Sequence, residues 1–437
     1  MTRFLGWREA VAATALVLAG CSDEPTAVAP PPQSTTCPTT VSAQATCYAG
    51  QGLSGASYLI GVPTNWNGIL VVWARGATPV AVTEPRVLGP ARFLLRDGGL
   101  AVAATAFRDE TPLARDAAED SEELRQIFVR QFGKPRLTVI WGNSFGGLVA
   151  ARCAERYRTF NGAIAACGLV AGTLRSFYPH VDLRMVYQHY CRNLPRQSER
   201  QYDLFLGLDP QGTMTTEELN SRVNECTGIS LPAAQRSVLQ RDNLANILAA
   251  VRMPEAGFLA NMDASTFVLS RFVHGSLGDK NPFTNMGVRY TGSTDDDGLN
   301  RDVARYRSDA PTAALVAADD DPTGKVSIPI VTLHAIDDSR AFVENESAYR
   351  AAFVRAGTLV NLFQAYTNQG AHCLFTTAEH LGTLKVLQDW IERRTPPTQE
   401  SLAAACETYR TEFGGSCRFN ASYQPAAFDS KVYARQP

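Results

Sequence analysis

Residues 137–147 read Leu137-Thr138-Val139-Ile140-Trp141-Gly142-Asn143-Ser144-Phe145-Gly146-Gly147. The first five form an apolar, partly β-branched run with the length of a buried strand. Apolar residues then recur at helical spacing over 145–157. Between the two, Gly142 and Gly146 bracket Ser144, so the strand turns sharply into the helix with a hydroxyl at the turn.

The same alternation repeats on both sides. Apolar runs of strand length occupy 57–62, 69–74, 100–106, 162–167, 328–334 and 359–366. Helical patterns lie between them at 117–132, 343–355 and 376–393, the first with Leu124, Ile127, Phe128 and Phe132 on one face. Strands alternating with helices predict a mostly parallel sheet with helices on both faces, an α/β fold. The stretch 170–324 breaks the rhythm. A structureless loop of that length would be unusual, and helical patterns at 216–226 and 232–251 predict an inserted, mainly helical cap. The expected core is therefore 37–169 and 325–395, with residues 396–437 appended as a tail.

The chain has 437 residues, is 45% hydrophobic and carries a net charge of −2. That is too apolar and too weakly charged for a disordered chain. Its 41 Lys plus Arg against 43 Asp plus Glu give no basic excess for nucleic acid. Nothing in the overall balance points to an acidic or polyanionic substrate. The acidic clusters 295–297 and 319–321 lack EF-hand spacing and read better as solvated turns than as a calcium site. No metal or organic cofactor is implied.

Residues 1–20 place Arg3 and Arg8 before an apolar stretch shorter than the roughly 20 residues that span a bilayer. The segment runs into Leu18-Ala19-Gly20-Cys21, which resembles the lipobox of bacterial lipoproteins. The resemblance implies a signal peptide over 1–20 and lipidation of Cys21. With Ser22 next, it also implies an envelope location at the outer membrane, with the lipid as the only membrane attachment. An ordinary secretory signal with an incidental Cys21 is the alternative. Residues 21–36, rich in Pro, Ser and Thr, are expected to form a mobile tether. Export makes disulfides the first reading of the nine remaining cysteines, none of which lies in a CxxC pair. Short loops close easily, which favours 37–47, 191–226 and 406–417 and leaves an odd thiol.

Gly142-Asn143-Ser144-Phe145-Gly146, set between strand and helix, resembles the GxSxG nucleophile elbow of the α/β-hydrolase superfamily. The resemblance covers about 55–170 and 325–395. It implies Ser144 as nucleophile in a strained turn, with the Phe145 amide facing developing negative charge. The family order is nucleophile, acid, then histidine in the loop after the last strand. Of six histidines only His372 fits; His334 closes a core strand and His380 lies within the next helix. The acid is expected in the loop Ala335-Ile336-Asp337-Asp338-Ser339. Related hydrolases carry the Asp four places after a strand-ending His, which favours Asp338 over Asp337. The second oxyanion donor is expected in the loop Trp73-Ala74-Arg75-Gly76-Ala77-Thr78, at the Ala77 amide. Many relatives have His-Gly where this chain has Arg75-Gly76, and a structural salt bridge is the favoured role of Arg75 over binding a substrate carboxylate. Cys373, next to His372, is similar to a cysteine of tannase and feruloyl-esterase relatives that pairs with one just before the nucleophile. Asn143 occupies that place here, so that bridge cannot form.

The resulting expectation is an exported, lipid-anchored serine hydrolase acting on small-molecule carboxylic esters. A peptidase of prolyl-oligopeptidase or tripeptidyl-aminopeptidase type shares elbow, triad and fold. A binding protein on a hydrolase fold is disfavoured, because all three triad positions are filled. The cap aromatics Phe177, Tyr178, Tyr187, Tyr190, Phe258, Phe267 and Phe272 are read mainly as the cap's own core, with lining of an acyl pocket as the alternative.

Overall fold

The computed structural model describes residues 28–38, 45–77 and 99–435. Cys21 and the segment before it lie outside the described residues, as does Thr78 with the stretch to residue 98. Within them, nine strands form one sheet in the order β1-β2-β3-β5-β4-β6-β7-β8-β9. These strands are β1 (Gln33–Thr35), β2 (Ala45–Gln51), β3 (Ser57–Pro63), β4 (Ile69–Ala74), β5 (Ala101–Thr105), β6 (Leu137–Asn143), β7 (Gly162–Ala166), β8 (Ile330–Ala335) and β9 (Leu362–Thr367). The first three pair antiparallel at one edge, and from β5 to β9 every pairing is parallel.

The central strands are apolar throughout because both faces are covered. Leu70, Val72 and Ala74 of β4 point to one core with α1 (Ala114–Phe132) and α2 (Phe145–Arg156). Ile69, Val71 and Trp73 point to the other, where they meet Leu381, Leu384, Leu387 and Trp390 of the helix Thr377–Arg393. The period of two along a strand makes this division. Burying each such side chain is worth about 1.5–3 kcal/mol.

Two strands were not expected. β2 is half exposed and lacks an apolar run. Its free edge is capped by β1, which pairs Gln33 with Ala49 and Thr35 with Cys47. The mobile tether predicted for 21–36 is thus corrected at 33–35: those residues satisfy an open ladder edge.

Between β7 and β8 the chain leaves the sheet. It forms α3 (Thr173–Cys191), α4 (Thr216–Thr227), α5 (Val238–Val251) and a helical run over 258–276 with two π-helical segments, then α6 (Asp296–Asp302) and α7 (Ala310–Asp320). The later helices are α8 (Asn345–Ala356), α9 (Thr377–Arg393) and α10 (Gln399–Phe413). Among the described residues no helix is long and apolar enough to cross a membrane.

All three expected disulfides are present: Cys37–Cys47, Cys191–Cys226 and Cys406–Cys417. A fourth, Cys167–Cys373, spans 206 residues. Cys153 is left as the buried free thiol, its pKa raised by burial.

The acidic clusters are not both solvated turns. Asp295 and Asp296 do organise the start of α6, accepting from Gly298 and from the Gly292 and Ser293 amides. Asp320, however, is fully buried, accepting from the Ala114 amide at 2.8 Å and from the Thr173 hydroxyl at 2.5 Å. Asp319 pairs with Arg115 at 2.9 Å. The difference is tertiary: α7 returns to the sheet here, where the starts of α1 and α3 both need acceptors.

Candidate active site

The parallel strands end on one edge of the sheet, where open α/β sheets place their sites. Four of these ends supply the candidate residues. β6 runs into Ser144, whose φ of 58° and ψ of −123° are a backbone conformation unusual for a non-glycine residue. Glycine flanks it for steric reasons. A Cβ at Gly142 would overlap the Gly146 carbonyl, and one at Gly146 would overlap the carbonyl oxygens of Ala74 and Arg75. The start of α2 is therefore pressed against the end of β4.

That contact brings the loop after β4 beside the serine. A Cβ built on Gly76 would lie 3.7 Å from the Ser144 Cβ, and Ala77 borders the same cavity as Ser144. Phe145, whose amide is the other expected oxyanion donor, is the first residue of α2. Arg75 holds the loop, and neither expected role describes it. Its buried guanidinium donates to the carbonyls of Ala106, Gly76, Asp109 and Glu110 at 2.8–3.0 Å and lies 4.7 Å from the Phe107 ring. No carboxylate pairs with it among these contacts, and burial lowers its pKa to about 10. It fastens backbone to backbone.

β9 leads to the loop carrying His372, and β8 to the loop carrying Asp338. His372 Nε2 lies 2.9 Å from Ser144 Oγ, and His372 Nδ1 lies 2.7 Å from Asp338 Oδ2. Asp338 is 3% exposed, and its Oδ1 accepts from the Arg340 and Ala341 amides at 2.9 and 3.0 Å. Burial opposes its ionisation. The His372 hydrogen bond and the charges of His372 and His334 outweigh this and hold the carboxyl below its usual value. Asp337 is exposed. With the carboxylate accepting from Nδ1–H, the Nε2 lone pair faces the serine hydroxyl, as a general base requires.

His334 supports this loop from below. It is fully buried, with Nδ1 3.0 Å from Glu346 Oε1 and Nε2 2.7 Å from the Ala341 carbonyl. Both nitrogens face acceptors. Burial works against the charged ring, yet Glu346 and Asp338 raise its pKa above the ordinary value. His380 packs against Trp141 and Phe375, and burial lowers its pKa to about 4.

A fifth strand end fixes the histidine loop. Cys167, directly after β7, is bonded to Cys373, directly after His372. The bridge excluded at position 143 is replaced by one from the neighbouring strand. Cys167, His372 and Cys373 also form the cluster of potential metal ligands among the described residues. With both sulfurs in a disulfide, it offers a single nitrogen.

The serine opens into a cavity of about 250 Å³. Ser176, Phe177 and His180 of α3 line one wall, and Arg340 and Ala341 another. Of the seven aromatics singled out in the sequence, Phe177 borders this cavity, while Tyr187, Phe258 and Phe272 are buried in the core. His180 and Arg340 were not expected at the site. Arg340 lies two residues beyond the acid in the same loop, a placement the sequence offered.

A mostly parallel sheet with helices on both faces, a serine on a strand–turn–helix elbow and a hydrogen-bonded Ser–His–Asp chain are the features of the α/β-hydrolase fold. No family model matches the chain. An o-phthalyl amidase of Xanthobacter agilis is 32% identical over 106 residues, which are 24% of this chain and 22% of that protein. The chain thus matches about a fifth of the length of that curated relative. Among solved structures, Candida antarctica lipase A is similar with a TM-score of 0.46 and 12% identity, covering 93% of this chain and 88% of the lipase. Feruloyl esterase B of Aspergillus oryzae has a TM-score of 0.40 and 14% identity, covering 81% and 82%.

Proposed function

We propose that this protein hydrolyses small carboxylic esters through an acyl-enzyme on Ser144. The observation that carries the proposal is the unbroken hydrogen-bonded chain from buried Asp338 through His372 to Ser144 at the edge of a cavity. His372 takes the serine proton as Oγ attacks the carbonyl carbon. The Phe145 and Ala77 amides receive the developing oxyanion, and Asp338 stabilises the imidazolium. The alcohol leaves with the proton from His372. Water, deprotonated by the same histidine, then releases the acid.

One observation favours a second reading, amide hydrolysis: the partial match to a protein named as an o-phthalyl amidase. The same acyl-enzyme serves both. A panel of 4-nitrophenyl esters and acyl 4-nitroanilides separates them; turnover of anilides with none of esters contradicts the ester reading.

The proposal includes export and lipid attachment at Cys21. Four disulfides are consistent with an oxidising compartment. Metabolic labelling with a palmitate analogue, compared between the wild-type chain and Cys21→Ala, tests the anchor.

A further inference from the structure

The cavity beside Ser144 contains a cation that has no counter-ion among the described residues. Arg340 lines it, together with Ser144 and His372, and is only partly exposed. Its backbone amide is committed to Asp338, but among the described residues no carboxylate or carbonyl accepts from its guanidinium. Two other buried arginines are spent. Arg75 is saturated by four carbonyls, and Arg152 is held by Glu155 and three carbonyls at the base of α7.

The other groups on the cavity wall do not neutralise it. No Asp or Glu lines the cavity among the described residues. His180 adds no charge: Asn261 donates to the Ser339 carbonyl at 2.8 Å, so its Oδ1 accepts from His180 Nε2 at 3.2 Å, and burial lowers the ring's pKa to about 4. The rest of the wall is largely apolar, with Leu169, Phe177, Ala264 and Val268. A planar five-donor fork in such a pocket matches a carboxylate, which it can hold with two parallel hydrogen bonds. The small cavity, below the roughly 300–1,000 Å³ of drug-sized sites, favours a short substrate over a long acyl chain.

We propose that Arg340 binds a free carboxylate of the substrate, so that the preferred substrates are short esters or amides carrying a second, ionised carboxyl group. This rests on Ser144 and His372 being the acyl-transfer pair. The near-neutral balance of the whole chain hid a local cationic pocket.

The test compares kcat/KM for two charged esters against neutral partners. Ethyl hydrogen glutarate, with the anion on the acyl side, is set against ethyl methyl glutarate. 4-Acetoxybutanoate, with the anion on the alcohol side, is set against butyl acetate. Wild type prefers the charged member of at least one pair by about 10- to 100-fold, the range of a charge-assisted hydrogen bond. Arg340→Gln brings that ratio to near one, and Arg340→Lys retains part of it. A wild-type ratio near one in both pairs, or a preference that survives Arg340→Gln, overturns the proposal. Binding without turnover separates it from the hydrolytic reading. In Ser144→Ala, ethyl hydrogen glutarate or 4-acetoxybutanoate raises the melting temperature and its neutral partner does not, and adding Arg340→Gln abolishes the shift. No shift with either charged ester overturns the Arg340 proposal. A shift in Ser144→Ala with no hydrolysis of any ester or anilide by wild type leaves Arg340 standing and removes the enzyme reading.

Discussion

Cys373, the residue after His372, is bonded to Cys167, the residue after β7, across 206 positions of sequence. The histidine loop is thereby fastened to the strand next to the one that carries Ser144. Cross-linking so long a loop removes much unfolded-state entropy, about 5 kcal/mol in the chain-entropy model. Cys167→Ser with Cys373→Ser is expected to lower stability by an amount of this size and kcat by at least about 10-fold, because misplacing a base by 1 Å costs about 100-fold. Ester hydrolysis and urea unfolding, with and without reductant, measure both effects. Unchanged kcat in the folded double variant would show that the loop needs no fastening.

Asp338 and Asp337 are neighbours with opposite surroundings. Asp338 is buried against His372, whereas Asp337 is exposed. Asp338→Asn is expected to lower kcat by about 10³- to 10⁴-fold through loss of the correct imidazole tautomer. Asp337→Asn should stay within about 2-fold. Steady-state kinetics of the two variants decide it, and equal losses would contradict the assignment.

The burial of Asp320 predicts a pH dependence of stability with a definite sign. Burial raises its pKa to about 7. In the unfolded chain an aspartate ionises near pH 4, at about 3.9. Between those values the folded state holds the extra proton, and stability falls as pH rises. Asp320→Asn removes this dependence. The stability difference between variant and wild type is expected to move by about 2–4 kcal/mol in favour of the variant from pH 4.5 to pH 8. Urea unfolding across that range reads it, and parallel curves would contradict it.

Gly146 carries the close approach of α2 to β4. A Cβ there would overlap two backbone carbonyls that have no room to retreat. Gly146→Ala is expected to abolish activity and to cost at least about 3 kcal/mol, as overpacking and backbone strain do at their upper range. Circular dichroism with activity measurements checks it; a folded, active variant would show that the elbow can open.

The elbow was legible because its sterics are local: Gly142 and Gly146 are required within five residues of Ser144. The parallel strands were legible because burial on both faces makes them continuous apolar runs. β1 and β2 were not, since a half-exposed edge pair carries no such run. Asp338 and His372 followed from chain order and strand position in the resembling family. Cys167–Cys373 and the burial of Asp320 depend on which distant segments meet, and neither pairing leaves a short-range mark. Arg340 was missed because what distinguishes it is a place on the cavity wall with no acceptor for its guanidinium among the described residues, which only the folded cavity defines.

The central claim is that Ser144 is the nucleophile. Incubation with a fluorophosphonate, digestion and mass spectrometry read it directly. The expected result is one adduct, on the peptide containing Ser144, lost in Ser144→Ala and slowed in His372→Ala. Labelling of Ser144→Ala at the wild-type rate, or an adduct on another residue, would contradict the account.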